Sequence, residues 1–433
     1  MVLKFVLSGA LLLCGAGMLC AAPVLKVSAD REEALYKVGE PFRFLIELTD
    51  DGKPLAGEKI YCNFIGEETA RGRAEVTTDA AGKAEVSRTF GRPGFIRCAA
   101  SAQVGGKKVS ASGGAGAEPE KIVPARPEPA DFDAYWAGVK AELNAMPLKV
   151  KLTQVEPPQK GVRDRVKVYD FEINMPSGRP VRGYLAMPSG AAAKSLPAQV
   201  SFHGAGVRGS SMPVGTALKG RIAIDINAHG IENGKPKEYY ENLLKGDLRS
   251  YRYDGRTSRD TIYFRGMYQR IYRTLQFVKS LPEWDGRTLI AVGTSQGGGQ
   301  ALVAAGIDPD VTCCVAYVPA LCDHGGFAVG RESGWPRFHK EEGGTSPEVM
   351  TAADYIDAVN FARKITGADT VLTTGFIDLS CTPSSVFAAY NVIPSGSKQI
   401  WCSPPSDHSV PREFYSRGDE FIRRHVEKMK QGK

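Results

Sequence analysis

Between residues 24 and about 112 the apolar residues come in short runs broken by polar ones: PFRFLIELTD, EKIYCNFIG, KAEVSRTF and FIRCAASAQV. Breaks such as DDGKP, DAAGK and GRPG separate them, a turn signal about every ten residues. This pattern predicts an all-β immunoglobulin-like sandwich over residues 23–114. No Trp lies between Cys62 and Cys98, so an antibody-type domain is not supported. The seam SGGAGAEPEKIVPARPEPADF mixes Gly and Pro densely and reads as a linker over 115–130. Beyond it the pattern changes. AQVSFHG, RIAIDIN, TLIAVG, VTCCVAYV, DTVLTTG and SKQIWCS are apolar mostly without alternation, as strands covered on both faces of a parallel sheet are. Helical segments lie between them; in one, Met267, Ile271, Leu275 and Val278 form a stripe expected to be core. Strands and helices in alternation predict an α/β domain with a doubly wound, mostly parallel sheet over 131–433.

The first residues, MVLKFVLSGALLLCGAGMLCAAP, join a basic Lys4, an apolar run and small residues, the shape of a secretory signal peptide over 1–22. Export to the periplasm or the medium follows, with no membrane span after cleavage; an uncleaved anchor is the alternative reading. A charge of +7 without a dense Lys/Arg tract argues against a nucleic-acid partner. Seven cysteines remain beyond the leader, so at least one is free, and Cys62 with Cys98 is a candidate disulfide. The β-region shows no catalytic pattern and reads as a spacer, or else as a glycan- or partner-binding module.

In TLIAVGTSQGGGQALVAAG a strand-like run enters Gly293-Thr294-Ser295-Gln296-Gly297 and a helix-like run leaves it. G-x-S-x-G in that context is the nucleophile elbow of an α/β-hydrolase. Serine needs a base and a group to orient that base, and on this fold they follow as acid, then histidine. Asp378 follows one predicted strand and His408 the next. Asp407 adjoins His408 and cannot easily reach its ring, so Asp378 is the expected acid. The oxyanion donors are expected to be the backbone N–H groups of Gln296 and of Ala205, in the loop His203-Gly204-Ala205-Gly206. His203 reads as a structural residue of that loop. His203, Gly204, His229, Trp335 and Phe338 are candidate pocket residues; His324 and His339 lie near the site, and His425 is expected exposed on a C-terminal helix. The histidines form no metal-binding pattern, and no metal or cofactor is predicted.

Over roughly residues 125 to 430 the chain resembles the acetyl xylan esterase / cephalosporin-C deacetylase group, carbohydrate esterase family 7. The resemblance rests on DFDAYW, FHGAG, LPEWDGRTLIAVGTSQGGGQALVAA, YVPALCDHGG, TTGFIDLSCTPSSVFAAYN and PPSDHS. It implies a serine esterase that deacetylates xylo-oligosaccharides or similar small acetyl esters, with roles for Ser295, Asp378, His408 and Gln296. Three positions depart from the family pattern. Ala205 replaces the oxyanion-loop tyrosine, Asn227-Ala228-His229-Gly230 stands for the Arg-Gly-Gln motif, and Ser409 replaces a glutamate. The second and third departures remove expected supports of the loop and of the family's ring-shaped hexamer, so a homo-oligomer stays open. Two other readings stay open: a carboxylesterase on another glycan or small ester, and an inactive glycan-binding or scaffold protein.

Overall fold

Phe42, Phe44, Ile46 and Leu48 alternate with more exposed neighbours along Pro41–Asp50, as a strand with one wet face requires. In the computed structural model, which describes residues 22–432, that strand belongs to the first of two N-terminal sheets. One holds β1 (Val24–Ala29), β3 (Pro41–Asp50), β4 (Lys53–Pro54) and β7 (Lys83–Thr89). The other holds β2 (Leu35–Tyr36), β5 (Lys59–Gly66), β6 (Gly72–Thr77), β8 (Gly94–Val104) and β9 (Lys107–Ala117). Phe42, Phe44, Ile60, Phe64 and Phe90 share the core of these sheets. Cys62 and Cys98 are buried there but are free thiols, not a disulfide. The register pairs Cys62 with Ala100 and Cys98 with Phe64, which sets the two sulfurs diagonally across β5 and β8.

The uninterrupted apolar runs form the middle of a nine-stranded sheet. β10 (Val150–Val155), β11 (Val166–Ile173) and β12 (Val181–Pro188) make an antiparallel edge. β13 (Leu196–Phe202), β14 (Ile222–Ile226), β15 (Trp284–Thr294), β16 (Cys313–Tyr317), β17 (Asp369–Gly375) and β18 (Lys398–Ser403) run parallel. The spatial order is β10-β11-β12-β14-β13-β15-β16-β17-β18. Helices cover both faces. Leu289, Ala291, Cys314, Ala316 and Leu372 share a core with α1 (Phe132–Ala145), α4 (Tyr263–Ser280), α5 (Gln296–Ile307), α7 (Ala358–Ala362) and α8 (Pro383–Val392). Ile290, Cys313, Val315 and Val371 point the other way, towards α9 (Arg412–Lys430). The short α2 (Val214–Ala217) covers β12 and β14; α3 (Lys237–Lys245) and α6 (Pro347–Asp354) lie in long connections.

The stripe of Met267, Ile271, Leu275 and Val278 on α4 is fully buried, and Arg273 beside it donates to Leu143 O (3.1 Å) and Pro147 O (2.8 Å), tying α4 to the end of α1. The DFDAYW motif is packing: Phe132 and Trp136 enter the core, and Trp136 Nε1 donates to Tyr355 O. His425 is buried, not exposed; its ring bonds Asp369 (2.7 Å) and Thr312 Oγ1 (2.9 Å). No helix among the described residues is long and apolar enough to cross a membrane. Apart from Ala22, the expected leader lies outside the described residues.

Candidate active site

β15 ends at Thr294 and α5 begins at Gln296, so Ser295 alone makes the turn, at φ 59° and ψ −121°. Such a conformation costs about 1–3 kcal/mol and persists only where the surroundings over-determine it. Ser295 N donates to Tyr317 O, and Ser295 O accepts from Gly299 N and Ala320 N. The flanking positions must be glycine. A Cβ at Gly293 would lie 2.0 Å from Gly297 O, and one at Gly297 would lie 2.0 Å from Phe202 O.

The parallel order brings the loops after β15, β17 and β18 to one edge of the sheet, where ligand sites of open α/β sheets lie. There His408 Nε2 stands 2.9 Å from Ser295 Oγ, and His408 Nδ1 stands 2.8 Å from Asp378 Oδ2. Asp378 is buried; its Oδ1 accepts from Ser380 N (2.6 Å) and Cys381 N (3.0 Å), leaving Oδ2 for the ring. Asp407 turns elsewhere, its Oδ1 taken by the backbone and hydroxyl of Ser409. The hydrogen bond that His408 donates to the Asp378 carboxylate raises the His408 pKa above its ordinary value, against the opposing effect of burial.

The loop after β13 reaches the same place: a Cβ on Gly204 would sit 3.6 Å from Ser295 Cβ. His203 Nδ1–H donates to Gly204 O (2.7 Å), and its Nε2 accepts from Ala228 N (3.2 Å). Arg270 Nη2 donates to Ala228 O at 2.8 Å. His229 bonds Gly206 O through Nε2 and the Tyr263 hydroxyl through Nδ1, while Asn227 Nδ2 donates to Arg208 O. Residues 227–230 therefore brace the loop by another set of bonds, where the departure from the family motif implied a lost support. Burial holds the His203 pKa at about 4 and that of His229 at about 3. Both are neutral hydrogen-bonding braces near pH 7, and neither is placed as a base.

Phe338, expected in the pocket, is buried. It is a core residue packed on Tyr253, Phe264 and His324. Trp335 is half-buried, its ring 6.4 Å from that of Tyr251, and its backbone N–H donates to Ser380 O. His324 is buried, and His339 stacks on Phe327 at 4.6 Å. Sequence reasoning missed Tyr251, whose hydroxyl donates to Gln296 Oε1 (3.1 Å), and with it Tyr263, Arg270 and Cys381. Tyr251 lies in a stretch of turns without periodicity and left no signal; Arg270 is one of several cations on a helix that the sequence marks only by its apolar stripe. Cys381 lies with Asp378 and His408, their ligand atoms within 4.8 Å of one another, but burial pushes its thiol well up and Asp378 and His408 are bonded to each other.

Residues 118–424 match the family model described as acetyl xylan esterase (AXE1). The chain is 30% identical over 394 residues to acetyl esterase Axe7A of Xylanibacter ruminicola, covering 88% of this chain and 85% of that protein. Its fold is similar to that of the acetyl xylan esterase from Paenibacillus sp. R4, with a TM-score of 0.59 and 26% identity, over 71% of this chain and 98% of the other. Acetyl xylan esterase 1 from Thermoanaerobacterium sp. JW/SL YS485 shares the fold at a TM-score of 0.56 and 23% identity, over 71% and 98% of the two chains. The α/β-hydrolase sheet with its serine elbow and the matched residues 118–424 thus agree: the chain belongs to the acetyl xylan esterase family.

Proposed function

We propose that the protein is an exported serine esterase that removes acetyl groups from xylan, xylo-oligosaccharides or similar small acetyl esters. The observation that carries this is the continuous pair of hydrogen bonds from Ser295 Oγ through His408 to Asp378, at 2.9 and 2.8 Å. Ser295 Oγ attacks the acetyl carbonyl while its proton passes to His408 Nε2. The oxyanion is held by the N–H groups of Gln296, at the open start of α5, and of Ala205. His408 then protonates the leaving sugar oxygen, giving an acetyl-enzyme on Ser295, and next activates the water that releases acetate. Asp378 keeps the Nδ1–H tautomer and stabilises the imidazolium. Residues 23–117 serve as an immunoglobulin-like domain, because β9 runs on to Ala117 where the sequence pattern placed the start of a linker at 115; 118–130 serve as the linker and 131–433 as the esterase domain, after removal of the leader 1–22.

Acetate release from acetylated xylan is expected to exceed hydrolysis of butyryl and longer esters at equal concentration; equal or faster turnover of the longer esters would replace this reading with that of a general carboxylesterase. Activity is also expected to fall on the acid side, because the base must be neutral and lowering the pH through the His408 pKa protonates it. Since that pKa is raised, the midpoint of kcat/KM is expected above 6.5. A flat profile through the histidine range would remove His408 from the mechanism.

A further inference from the structure

The residues before 118 lie outside the family match, yet the sheets they form press on the loops that carry the candidate acid. Phe95 on β8 packs its ring 4.8 Å from Phe376 and 5.4 Å from Phe387; Phe376 stands two residues before Asp378. Gly114 on β9 comes so close that a Cβ there would lie 2.5 Å from Phe376 Cβ and 2.9 Å from its carbonyl carbon. A pocket at this contact, lined by Phe95 and Arg97 on one side and Asp378 and Thr382 on the other, holds about 20 Å³, while a wider one of about 360 Å³ opens between Gly114 and Pro404.

A second, polar contact reaches the same loop by another route. Glu68 N (3.1 Å) and Arg71 Nη2 (3.2 Å) both donate to Gly330 O, and Arg71 also faces Glu332 at 3.4 Å. The segment held in this way bonds onward: Thr382 Oγ1 donates to Glu332 O (2.8 Å) and Trp335 N to Ser380 O (2.8 Å). Ser380 and Cys381 in turn supply the two N–H groups that fix Asp378 Oδ1. The turn carrying Arg71 is itself fixed, because the buried Glu67 carboxylate accepts from Arg92 Nε and Thr69 N.

We propose that the N-terminal β-sheets are a clamp that positions the acid loop, with Arg71 and the Phe95–Gly114 face holding Asp378 in line with His408. They then belong to the catalytic apparatus of this esterase and are neither a spacer nor an independent binding module. The inference rests on the Ser295–His408–Asp378 reading above. Arg71 and Gly114 are positioning residues, acting through Ser380 and Phe376.

The test uses the full chain: Arg71→Ala, Arg71→Lys and Gly114→Leu, beside wild type and Ser295→Ala, with kcat, KM, a pH profile and thermal melting for each. The Arg71 side chain is 38% exposed, so its variants are expected to fold whether or not Gly114→Leu does. A misplaced acid loop is expected to lower kcat by about ten- to a hundredfold in Arg71→Ala with KM nearly constant. The titratable groups around His408 are Asp378, Cys381 and Asp407; loosening Asp378 removes the largest upward influence. The acid limb is therefore expected to move to lower pH in Arg71→Ala and to return towards wild type in Arg71→Lys. An unchanged kcat and acid limb with a lower melting temperature would overturn the clamp and leave a stabilising domain. A raised KM at constant kcat would overturn it in favour of substrate binding. Either result, obtained while Ser295→Ala is inactive, spares the triad reading; an active Ser295→Ala would instead remove that reading.

Discussion

Ser295→Ala is expected to reduce turnover of a small acetyl ester by about 10⁴- to 10⁶-fold while leaving the melting temperature nearly unchanged. The separation follows from the elbow. Ser295 sits at φ 59° and ψ −121°, a conformation strained for any residue with a Cβ, and alanine keeps the Cβ, so the folded state carries the same strain. The backbone bonds that hold the turn, to Tyr317, Gly299 and Ala320, do not involve the hydroxyl. What the substitution removes is the Oγ that His408 faces at 2.9 Å. The Gln296 and Ala205 N–H groups remain, so a residual rate above that in water is expected from oxyanion stabilisation alone. Purified wild type and variant, compared by acetate release and by mass after treatment with a serine-directed fluorophosphonate, give the decision. Wild type is expected to gain one adduct on Ser295 and the variant none. Turnover within tenfold of wild type would take the nucleophile away from Ser295.

The elbow was legible because its signal is local: a strand, two glycines and a helix within one short stretch. The order of Asp378 and His408 was legible because each directly follows an apolar strand of a parallel sheet, and parallel strands put such loops on one edge. The brace behind the oxyanion loop was not. His203, residues 227–230, Tyr251, Tyr263 and Arg270 come from separate connections, and their bonds depend on how β13, β14 and α4 pack. His425 was misread although the pattern was present: Phe414, Gly418, Ile422 and His425 fall on one face of α9, and a polar residue there is buried with partners. Phe338 sits in a loop without period, where sequence separates a wall from a core residue poorly. The contact of the β-sheets with the acid loop had no counterpart in the pattern at all, since Gly114 and Phe376 are far apart in the chain, one in the Gly-rich seam and the other just past an apolar strand run.

Asp378→Asn tests the orienting acid more sharply than removal of the side chain, because the geometry dictates how the amide must sit. Ser380 N and Cys381 N both donate to Oδ1, so that position accepts only an oxygen. The amide nitrogen of the asparagine must then take the place of Oδ2 and point an N–H at His408 Nδ1. To avoid two opposed donors the imidazole moves its proton to Nε2, which faces Ser295 Oγ and can no longer accept the serine proton. A base in the wrong tautomer is expected to cost about 10⁴-fold in kcat, with the fold intact. The same change removes the carboxylate that raises the His408 pKa, so any residual activity should titrate at lower pH than wild type. Asp407→Asn is the matched control. Asp407 is bonded to Ser409 and contributes to His408 only through its charge, so a change of less than about tenfold is expected. The reverse ranking, with Asp407→Asn the more damaging, would hand the orienting role to Asp407 and require the His408 ring to turn away from the bond to Asp378.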